Sequence, residues 1–272
     1  MRFKASLDVK MNASVWIPFW TVFQREVRRF LKVIFQTIAT PLISSSLYLL
    51  IFGVSIGREI EVGHGISYLA FLIPGLVMMT TLRNSLDNAS GSIVTSKFVG
   101  ELEDLRMAPL SASQIAWGNG LAAIFRGVIV GLITLGVGFL FFWVMEERVY
   151  QIEHPGILFV FLFIGGMAFA NLGLAMCMLA TNFEQVSAIN TFILLPLIYL
   201  GGVFFSLEQL HPFWQILSQF NPLLYMVNGV RYGMLGVSDV GVWKSFLVTL
   251  FTWICFYSLA IWSLKKGSYK RW

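Results

Sequence analysis

Charged side chains are scarce in this sequence, and cysteine is nearly absent. Asp, Glu, Lys and Arg make up 12% of the 272 residues, against 57% hydrophobic residues and a mean hydropathy of +0.76. This composition lies well outside the range of soluble globular domains, which need a charged, hydrated surface. The two cysteines, Cys177 and Cys255, both lie inside apolar runs, so neither a disulfide framework nor a metal site can be inferred from them.

The sequence also lacks the short motifs of common catalytic and nucleotide-binding sites. It has no G-x-x-x-x-G-K-[ST] loop, no His and carboxylate residues at metal-ligand spacing, and no G-x-S-x-G elbow. Its basic residues stand at the ends of apolar runs rather than among stacking aromatics, so nucleic acid is not a predicted partner. We therefore predict a protein that is not an enzyme, has no metal or cofactor of its own, and takes its energy from a partner or an ion gradient.

Six long apolar runs are the main feature that is present. A helix crosses the hydrocarbon core of a membrane with about 20 residues, and it satisfies its own backbone hydrogen bonds there. The sequence therefore predicts an all-α, polytopic membrane protein with six transmembrane helices. The predicted spans are 33–56, 66–86, 121–144, 157–180, 186–206 and 245–264.

Lysine and arginine are distributed unevenly between the two sides that six spans would define. Thirteen of the 19 fall on the side that holds both termini, and four fall on the other side. Because cytoplasmic loops carry the excess of Lys and Arg, both termini are predicted to be cytoplasmic. The predicted organisation is a cytoplasmic N-terminus with an interfacial helix over 1–32, one transmembrane domain over 33–264, and a cytoplasmic tail over 265–272.

Residues 16–34 have the periodicity of an amphipathic helix. Bulky apolar residues occupy about one third of the helical wheel, and the basic residues Arg25, Arg28, Arg29 and Lys32 cluster opposite them. This pattern is typical of a helix that lies in the membrane surface against anionic lipid head groups. The alternative is the solvated face of a soluble helix, which would leave the bulky residues without a core.

A second amphipathic segment lies between the second and third runs. Phe98, Leu102, Leu105 and Met107 are apolar, charged residues separate them, and Pro109 ends the pattern. We predict a short cytoplasmic helix over about 97–109 whose exposed apolar ridge docks a partner protein. A helix that rests on the lipid surface is the alternative, although its acidic face matches anionic lipid poorly.

Residues 207–236 are too apolar for a solvated loop and too interrupted for a span. Pro212 and Pro222 each stand where a helix would start. We predict two short re-entrant helices in the outer leaflet, with Arg231 near the outer interface. They would bury the large side chains of Phe213, Trp214, Phe220, Leu223 and Leu224.

A few polar and ionisable residues fall within the predicted spans, where they are costly and often functional. Arg83 and Asp87 are one helical turn apart, so an ion pair within the helix is one interpretation. Arg126 could reach the inner interface, or could line an inner vestibule with Arg83 and attract an anionic substrate. Asn171 fits a hydrogen bond between helices or a substrate contact. These four residues are the predicted translocation-path candidates.

Two motifs, in this order along the chain, resemble those of a known family. Residues 100–111, GELEDLRMAPLS, are similar to the coupling-helix motif of the permease subunits of type-2 ATP-binding-cassette (ABC-2 type) exporters. Residues 194–236, LLPLIYLGGVFFSLEQLHPFWQILSQFNPLLYMVNGVRYGMLG, resemble the signature region of the same family. The sequence is similar in particular to the YadH-like and nodulation-type permeases of Gram-negative bacteria.

The resemblance implies a multi-pass protein of the bacterial cell inner membrane. It implies a homodimer that binds two copies of a separate ATPase subunit, with ATP and Mg²⁺ bound by that subunit. The outer gate would contain Pro212, Pro222 and Arg231. The implied ATPase-coupling residues are Gly100, Leu102, Glu103, Leu105, Arg106, Pro109, Arg25, Arg28, Arg29 and Glu184.

The function expected from this resemblance is that of the permease subunit of an ATP-driven exporter. Its substrate would be amphiphilic, lipid-linked or drug-like. A stand-alone secondary transporter is the main alternative, and it requires a gradient-coupling carboxylate deep in a span, for which only Asp87 is a candidate. A membrane-embedded enzyme is a further alternative, and it requires catalytic groups that converge at one depth.

Overall fold

The computed structural model describes residues 16–57, 66–102, 107, 110–267 and 269. The regular structure of these residues is helical, as the sequence predicts. The helices are α1 Trp16–Leu31, α2 Ile34–Tyr48, α3 Tyr68–Val99, α4 Ala112–Glu146, α5 Pro155–Leu179, α6 Phe183–Ile189, α7 Leu195–Tyr199, α8 Pro212–Gln219, α9 Pro222–Leu235 and α10 Val242–Lys266. Two π-helical segments are also present, Leu49–Ile56 after α2 and Asn190–Leu194 between α6 and α7.

Five helices in the described part of the chain are long and apolar enough to cross a membrane. The predicted run 186–206 falls short of this, because its helix stops at Tyr199 and the chain then turns through Gly202, whose φ is 71°. A helix over Phe183–Tyr199 rises about 25 Å, against roughly 30 Å for the hydrocarbon core. The predicted count of six is therefore not confirmed. The five candidate spans are Ile34–Ser55, Tyr68–Val99, Ala112–Glu146, Pro155–Leu179 and Val242–Lys266.

Helix α3 is much longer than the second predicted run. The sequence predicts an end at residue 86 and a separate helix from about residue 97. Instead, α3 continues to Val99 and ends at Gly100, which adopts the left-handed conformation with φ 88°. No proline interrupts residues 87–99, and polar side chains on this stretch find partners inside the protein. Lys97 therefore belongs to the last turn of α3. Glu101, Leu102 and Met107 are helical and follow Gly100, so the predicted short helix over about 97–109 begins no earlier than residue 101.

Helix α3 is also the central helix of the bundle. It packs against α4, α5 and α9, and α10 packs against α5 and α9. Gly127 of α4 allows close approach to α3, since a Cβ atom there would lie only 2.7 Å from the Thr81 carbonyl oxygen. Between Tyr68 and Val94 the only exposed side chains of α3 are Arg83 and Asp87. Both charged residues thus lie on the one side of α3 that the described chain leaves uncovered.

The bundle has two ends of different character. At one end, called the basic end, α1, the last turn of α3, residues 180–185 and the end of α10 lie together. At the other, called the far end, residues 147–154, 201–207 and 236–241 lie together. Hydrogen bonds join the segments at each end, such as Lys97 Nζ to the Ala180 oxygen and His154 N to the Gly233 oxygen.

Candidate functional site

A buried carboxylate attaches α1 to α3 at the basic end. Glu26 is 1% exposed and accepts hydrogen bonds from Arg25 and Arg29 at 3.0 Å and from Ser92 Oγ at 2.8 Å. Arg29 also donates to the backbone oxygen of Asn88 at 2.6 Å and to its side-chain oxygen at 3.1 Å. Because Val22 and Phe30 are buried beside Glu26, this face of α1 rests on protein rather than on lipid.

Two further contacts join the remaining segments of the basic end. Lys97 is fully buried, and its ammonium group donates to the carbonyl oxygen of Ala180 at 2.7 Å, at the C-terminus of α5. A cation is favourable there because the carbonyl groups of the last helical turn carry partial negative charge. Leu102 packs in an apolar cluster with Val186 and Leu264. The basic end is thus one packed unit.

The predicted ATPase-coupling residues are only partly described. Glu103, Leu105, Arg106 and Pro109 lie outside the described residues. Leu102 is 2% exposed, so its assignment to an exposed apolar ridge is wrong, because the leucine packs into the bundle's own core. The exposed apolar side chains of this region are Phe98, Val99 and Met107.

The other predicted coupling residues lie around the same end. Arg28 is exposed, whereas Arg25 and Arg29 point their guanidinium groups at Glu26. Glu184 is exposed in the first turn of α6, which Asn182 caps by accepting a hydrogen bond from the Gln185 backbone N–H at 2.9 Å. An acidic residue in the first turn of a helix is electrostatically favourable.

A polar groove of about 490 Å³ lies between α2 and α3. Its floor is α4, against which α2 and α3 both pack. The charged residues that line it are Arg29, Arg83, Asp87 and Arg126, so the structure brings three of the four translocation-path candidates together. The polar lining is completed by Gln36, Thr37, Thr40, Ser44, Tyr48, Thr80 and Asn84.

The charged groups in the groove are loosely paired. Arg83 Nε and Asp87 Oδ2 are 3.9 Å apart, at the long limit of an ion pair, and both side chains are exposed. Arg126 lies within electrostatic range of Asp87 and Arg29, yet its buried Nε has no hydrogen-bond partner among the described residues. The ion pair expected from spacing is present, but it does not neutralise the groove.

Asn171, the fourth path candidate, lies away from this groove. Its amide nitrogen donates to the carbonyl oxygen of Met167 on its own helix at 2.7 Å, and the residue is 1% exposed. The predicted hydrogen bond between helices is not found in the described chain, and the Asn171 side-chain oxygen is buried without a partner there. A smaller pocket of about 170 Å³ lies on the other side of Arg83 and Asp87 instead. Its apolar lining comes from Met79, Leu82, Leu86, Phe169, Leu194, Leu195, Ile198 and Leu223.

At the far end, Arg231 is the largest fully buried side chain. Its guanidinium group donates to the Gly202 oxygen at 2.6 Å, lies 3.5 Å from an Asp239 carboxylate oxygen, and stacks 3.7 Å from the centre of the Phe71 ring. The same Asp239 oxygen accepts from Ser206 Oγ and from the Leu207 backbone N–H, each at 3.0 Å. One charged pair therefore connects α9, α3 and the turn after α7.

Two neighbouring polar residues extend this cluster. Asn228 accepts from the backbone N–H of Asp239 at 2.8 Å and donates to Ser245 Oγ at 2.9 Å, which ties α9 to the start of α10. Tyr150 donates its hydroxyl to the Ala70 oxygen at 3.3 Å. Burial raises the pKa of the Tyr150 phenol, so the group remains a hydrogen-bond donor at neutral pH.

Pro212 and Pro222 each occupy the first position of a helix, which confirms the predicted helix starts. The predicted burial is confirmed only for α9, where Leu223 and Leu224 are buried. The other three large side chains are exposed, because the short helix α8 lies on the outside of the bundle while α9 is inserted into it. The exposed residues are Phe213, Trp214 and Phe220.

The sequence interpretation missed Glu26, Lys97 and Asp239, which hold both ends together. A signal exists for Glu26, because it stands four residues from Val22 and four from Phe30, on the apolar face of an otherwise basic helix. Lys97 and Asp239 offer no such signal. Lys97 bonds to the backbone oxygen of Ala180, which is distant in sequence. Asp239 accepts from the distant Ser206 and lies beside Arg231, across the turn that follows α9.

An all-α bundle with five helices long and apolar enough to cross a membrane in the described chain is the architecture of a polytopic membrane protein. A sequence profile of the family described as ABC-2 type transporter matches residues 18–235. The chain belongs to the ABC-2 type transporter family, whose named relatives are transport permeases, membrane subunits that are not enzymes.

Two relatives illustrate the similarity. The inner membrane transport permease YadH of Escherichia coli strain K12 is 36% identical over 249 residues, which is 92% of this chain and 94% of YadH. Nodulation protein J of Rhizobium leguminosarum bv. trifolii is 25% identical over 240 residues, 84% of each chain. Both confirm the resemblance that the two sequence motifs indicate.

Proposed function

We propose that this chain is the permease subunit of an ATP-driven exporter of the bacterial inner membrane. Two copies of the chain would form a homodimer that binds two copies of a separate ATPase, which binds ATP and Mg²⁺. Both termini would be cytoplasmic, and residues 183–206 would make a sixth crossing. The substrate would be amphiphilic, lipid-linked or drug-like. Membership of the family and the inner-membrane name of YadH support this proposal.

The observation that carries the proposal is the connection of α1 and of the loop before α6 to α3. Glu26 attaches α1 through Ser92, and Lys97 attaches the loop before α6 through Ala180. An ATPase that pushes on this end would therefore move α3 as a unit with its neighbours. Since Arg83 and Asp87 belong to the same helix, that motion would reshape the groove between α2 and α3.

At the far end, the Arg231 cluster would serve as the outer gate. It holds α9 against the turn after α7, and this contact must loosen or shift if a substrate is to leave between these elements. Helix α9 has 14 residues and rises about 21 Å, too little to cross the membrane, which suits a re-entrant helix.

The test compares two exposed apolar residues at opposite ends. Met107→Asp alters the proposed docking surface, and Val149→Asp is the matched control, since both side chains are 78% exposed. The permease variants are co-expressed with the ATP-binding-cassette ATPases of the source genome and purified through a tag on the permease. We expect Met107→Asp to lose the ATPase and the control to retain it at the wild-type ratio.

The same preparations report ATP hydrolysis, which separates docking from coupling. If Met107→Asp retains the ATPase in full amount with unchanged hydrolysis, the docking surface lies elsewhere. If the wild-type permease retains none of these ATPases, the exporter proposal itself fails.

A further inference from the structure

The groove between α2 and α3 carries an excess of positive charge. Three guanidinium groups, those of Arg29, Arg83 and Arg126, line it beside a single carboxylate, Asp87. Arg29 is held by Glu26, but Arg126 has no carboxylate within ion-pair distance among the described residues. A groove of about 490 Å³ is within the roughly 300–1,000 Å³ range of ligand sites.

Arg126 is the part of this groove that lacks a partner. Its Nε is buried without a hydrogen bond among the described residues, whereas Arg29 is bonded to Glu26 and Asn88 and Arg83 lies 3.9 Å from Asp87. Leaving a charged donor unpaired inside a protein or a membrane is expensive, so such a group commonly marks a ligand position. A planar guanidinium suits the oxygens of phosphate or carboxylate, to which it can donate two hydrogen bonds.

An apolar pocket adjoins the charged groove. Met79, Arg83 and Asp87 of α3 line both the groove and the pocket. The same face of α3 therefore borders a cavity that suits a charged group and a cavity that suits a hydrocarbon chain. On the groove side, α2 and α3 both pack on α4. The groove therefore has an opening between α2 and α3, on the side away from α4. A molecule that lies in the membrane plane can enter through such an opening without leaving the lipid phase.

We propose that this groove binds the oxyanion head group of a membrane amphiphile. The head group, a phosphate or carboxylate, receives hydrogen bonds from Arg126 and is flanked by Arg29 and Arg83. Its hydrocarbon part runs past Met79 to the apolar pocket beside α7. This assignment rests on the proposed transport function and narrows its substrate class from amphiphiles in general to anionic ones.

The binding test uses the full-length protein in detergent and three probes. These are dioctanoyl phosphatidic acid, dioctanoyl phosphatidylcholine and inorganic phosphate, with bound ligand counted by native mass spectrometry. We expect phosphatidic acid to bind, phosphatidylcholine to bind about tenfold more weakly, and free phosphate to bind no better than phosphatidylcholine. Arg126→Gln should weaken phosphatidic acid binding about tenfold. The control Arg148→Gln removes the same charge at an exposed far-end turn and should leave binding unchanged.

Several results would overturn the inference. An equal loss of phosphatidic acid binding in Arg126→Gln and Arg148→Gln would show that anionic lipid is attracted to the basic protein in general and not to the groove. Tight binding of free phosphate makes the groove a site for soluble anions. If Arg126→Gln lowers binding only because the homodimer separates in the same spectra, the arginine belongs to the interface between two copies of the chain.

ATP hydrolysis by the complex with its ATPase distinguishes this inference from the proposed function. We expect phosphatidic acid in nanodiscs to stimulate hydrolysis by the wild type and not by Arg126→Gln. A complex that assembles and hydrolyses ATP, but binds both lipids equally, overturns the anionic substrate class and leaves the exporter function standing. A chain that binds phosphatidic acid selectively but assembles with no ATPase retains the site and loses the exporter function.

Discussion

The two ends of the bundle use buried charge in opposite ways. At the basic end, Glu26 is enclosed, but the arginines that bind it keep 30% and 42% of their side chains exposed. At the far end, Arg231 is enclosed on every side and its partner Asp239 is only 16% exposed. The first arrangement holds segments together and keeps its arginines in contact with solvent, whereas the second encloses its arginine in the protein.

This difference has an energetic meaning. A buried ion pair that loses one member leaves an uncompensated charge without water, whereas a half-exposed arginine recovers most of its hydration. The far end should therefore respond to a single substitution with a large loss of stability. The basic end should respond with a smaller loss of stability and, on the proposed function, a larger loss of coupling to the ATPase.

The largest effect is expected for Arg231→Met. The change leaves the half-buried Asp239 without its cation and the Gly202 oxygen without its donor, at a cost of about 3 kcal/mol. Thermal unfolding of the purified protein in detergent measures it, with the exposed far-end residue changed in Arg148→Met as the control. A loss no greater than that of the control would show that the far end is not closed by this charge.

Glu26→Gln should have the next largest effect, about 2–3 kcal/mol, because two arginines and Ser92 lose a charged acceptor. Hydrogen exchange of α1, followed by mass spectrometry, measures its release from α3. The control is Glu147→Gln at the exposed turn after α4. We expect faster hydrogen exchange that is confined to α1, together with reduced stimulation of the ATPase. Unchanged hydrogen exchange in α1 would contradict its attachment to α3 through Glu26.

Lys97→Met should cost about 1.5–2 kcal/mol, since it removes a charged donor from the Ala180 oxygen but keeps an apolar chain in a buried position. Lys266→Met, at the exposed end of α10, is the matched control. Urea titration of each variant, in complex with the proposed ATPase, would compare their free energies of unfolding. Equal behaviour of the two variants would mean that the Ala180 contact contributes nothing to the basic end.

Gly100→Ala is expected to have the smallest effect, about 1 kcal/mol, because its φ of 88° is unfavourable for any residue with a Cβ atom. In Gly136→Ala, a Cβ atom at a mid-helix position would meet nothing within 4 Å, so this control should be neutral or slightly stabilising. Thermal unfolding distinguishes the two. A neutral Gly100→Ala would show that the end of α3 can shift without cost.

Much of the fold was predictable because its causes are local. The helical apolar runs, the helix starts at Pro212 and Pro222 and the amphipathic α1 follow from periodicity and backbone chemistry. The end of α3 was not predictable, since the apolar run stops at residue 86 and the polar residues Asn88 and Ser92 find their partners, Arg29 and Glu26, only in the folded chain. The same holds for Leu102, whose burial depends on α6 and α10.

The sequence predicted most of the residues that form the candidate site, but not how they are arranged in space. Arg83, Asp87 and Arg126 stand out because ionisable residues are rare in apolar runs, and the structure gathers them in one groove. Asn171 has the same rarity, yet it faces its own helix. The packing of neighbouring helices decides which groups surround a polar side chain. The spacing of residues in the sequence does not show which helices will be neighbours.

By itself the sequence determined that this protein is a helical membrane permease of the ABC-2 type, because hydropathy and two ordered motifs are properties of the chain alone. Only the tertiary structure decided which charges are satisfied. Glu26 and Arg231 became fixed contacts since partners from distant elements enclose them. Within the described chain, Arg126 was left without a hydrogen bond at its Nε in a groove where α2 and α3 both pack on α4.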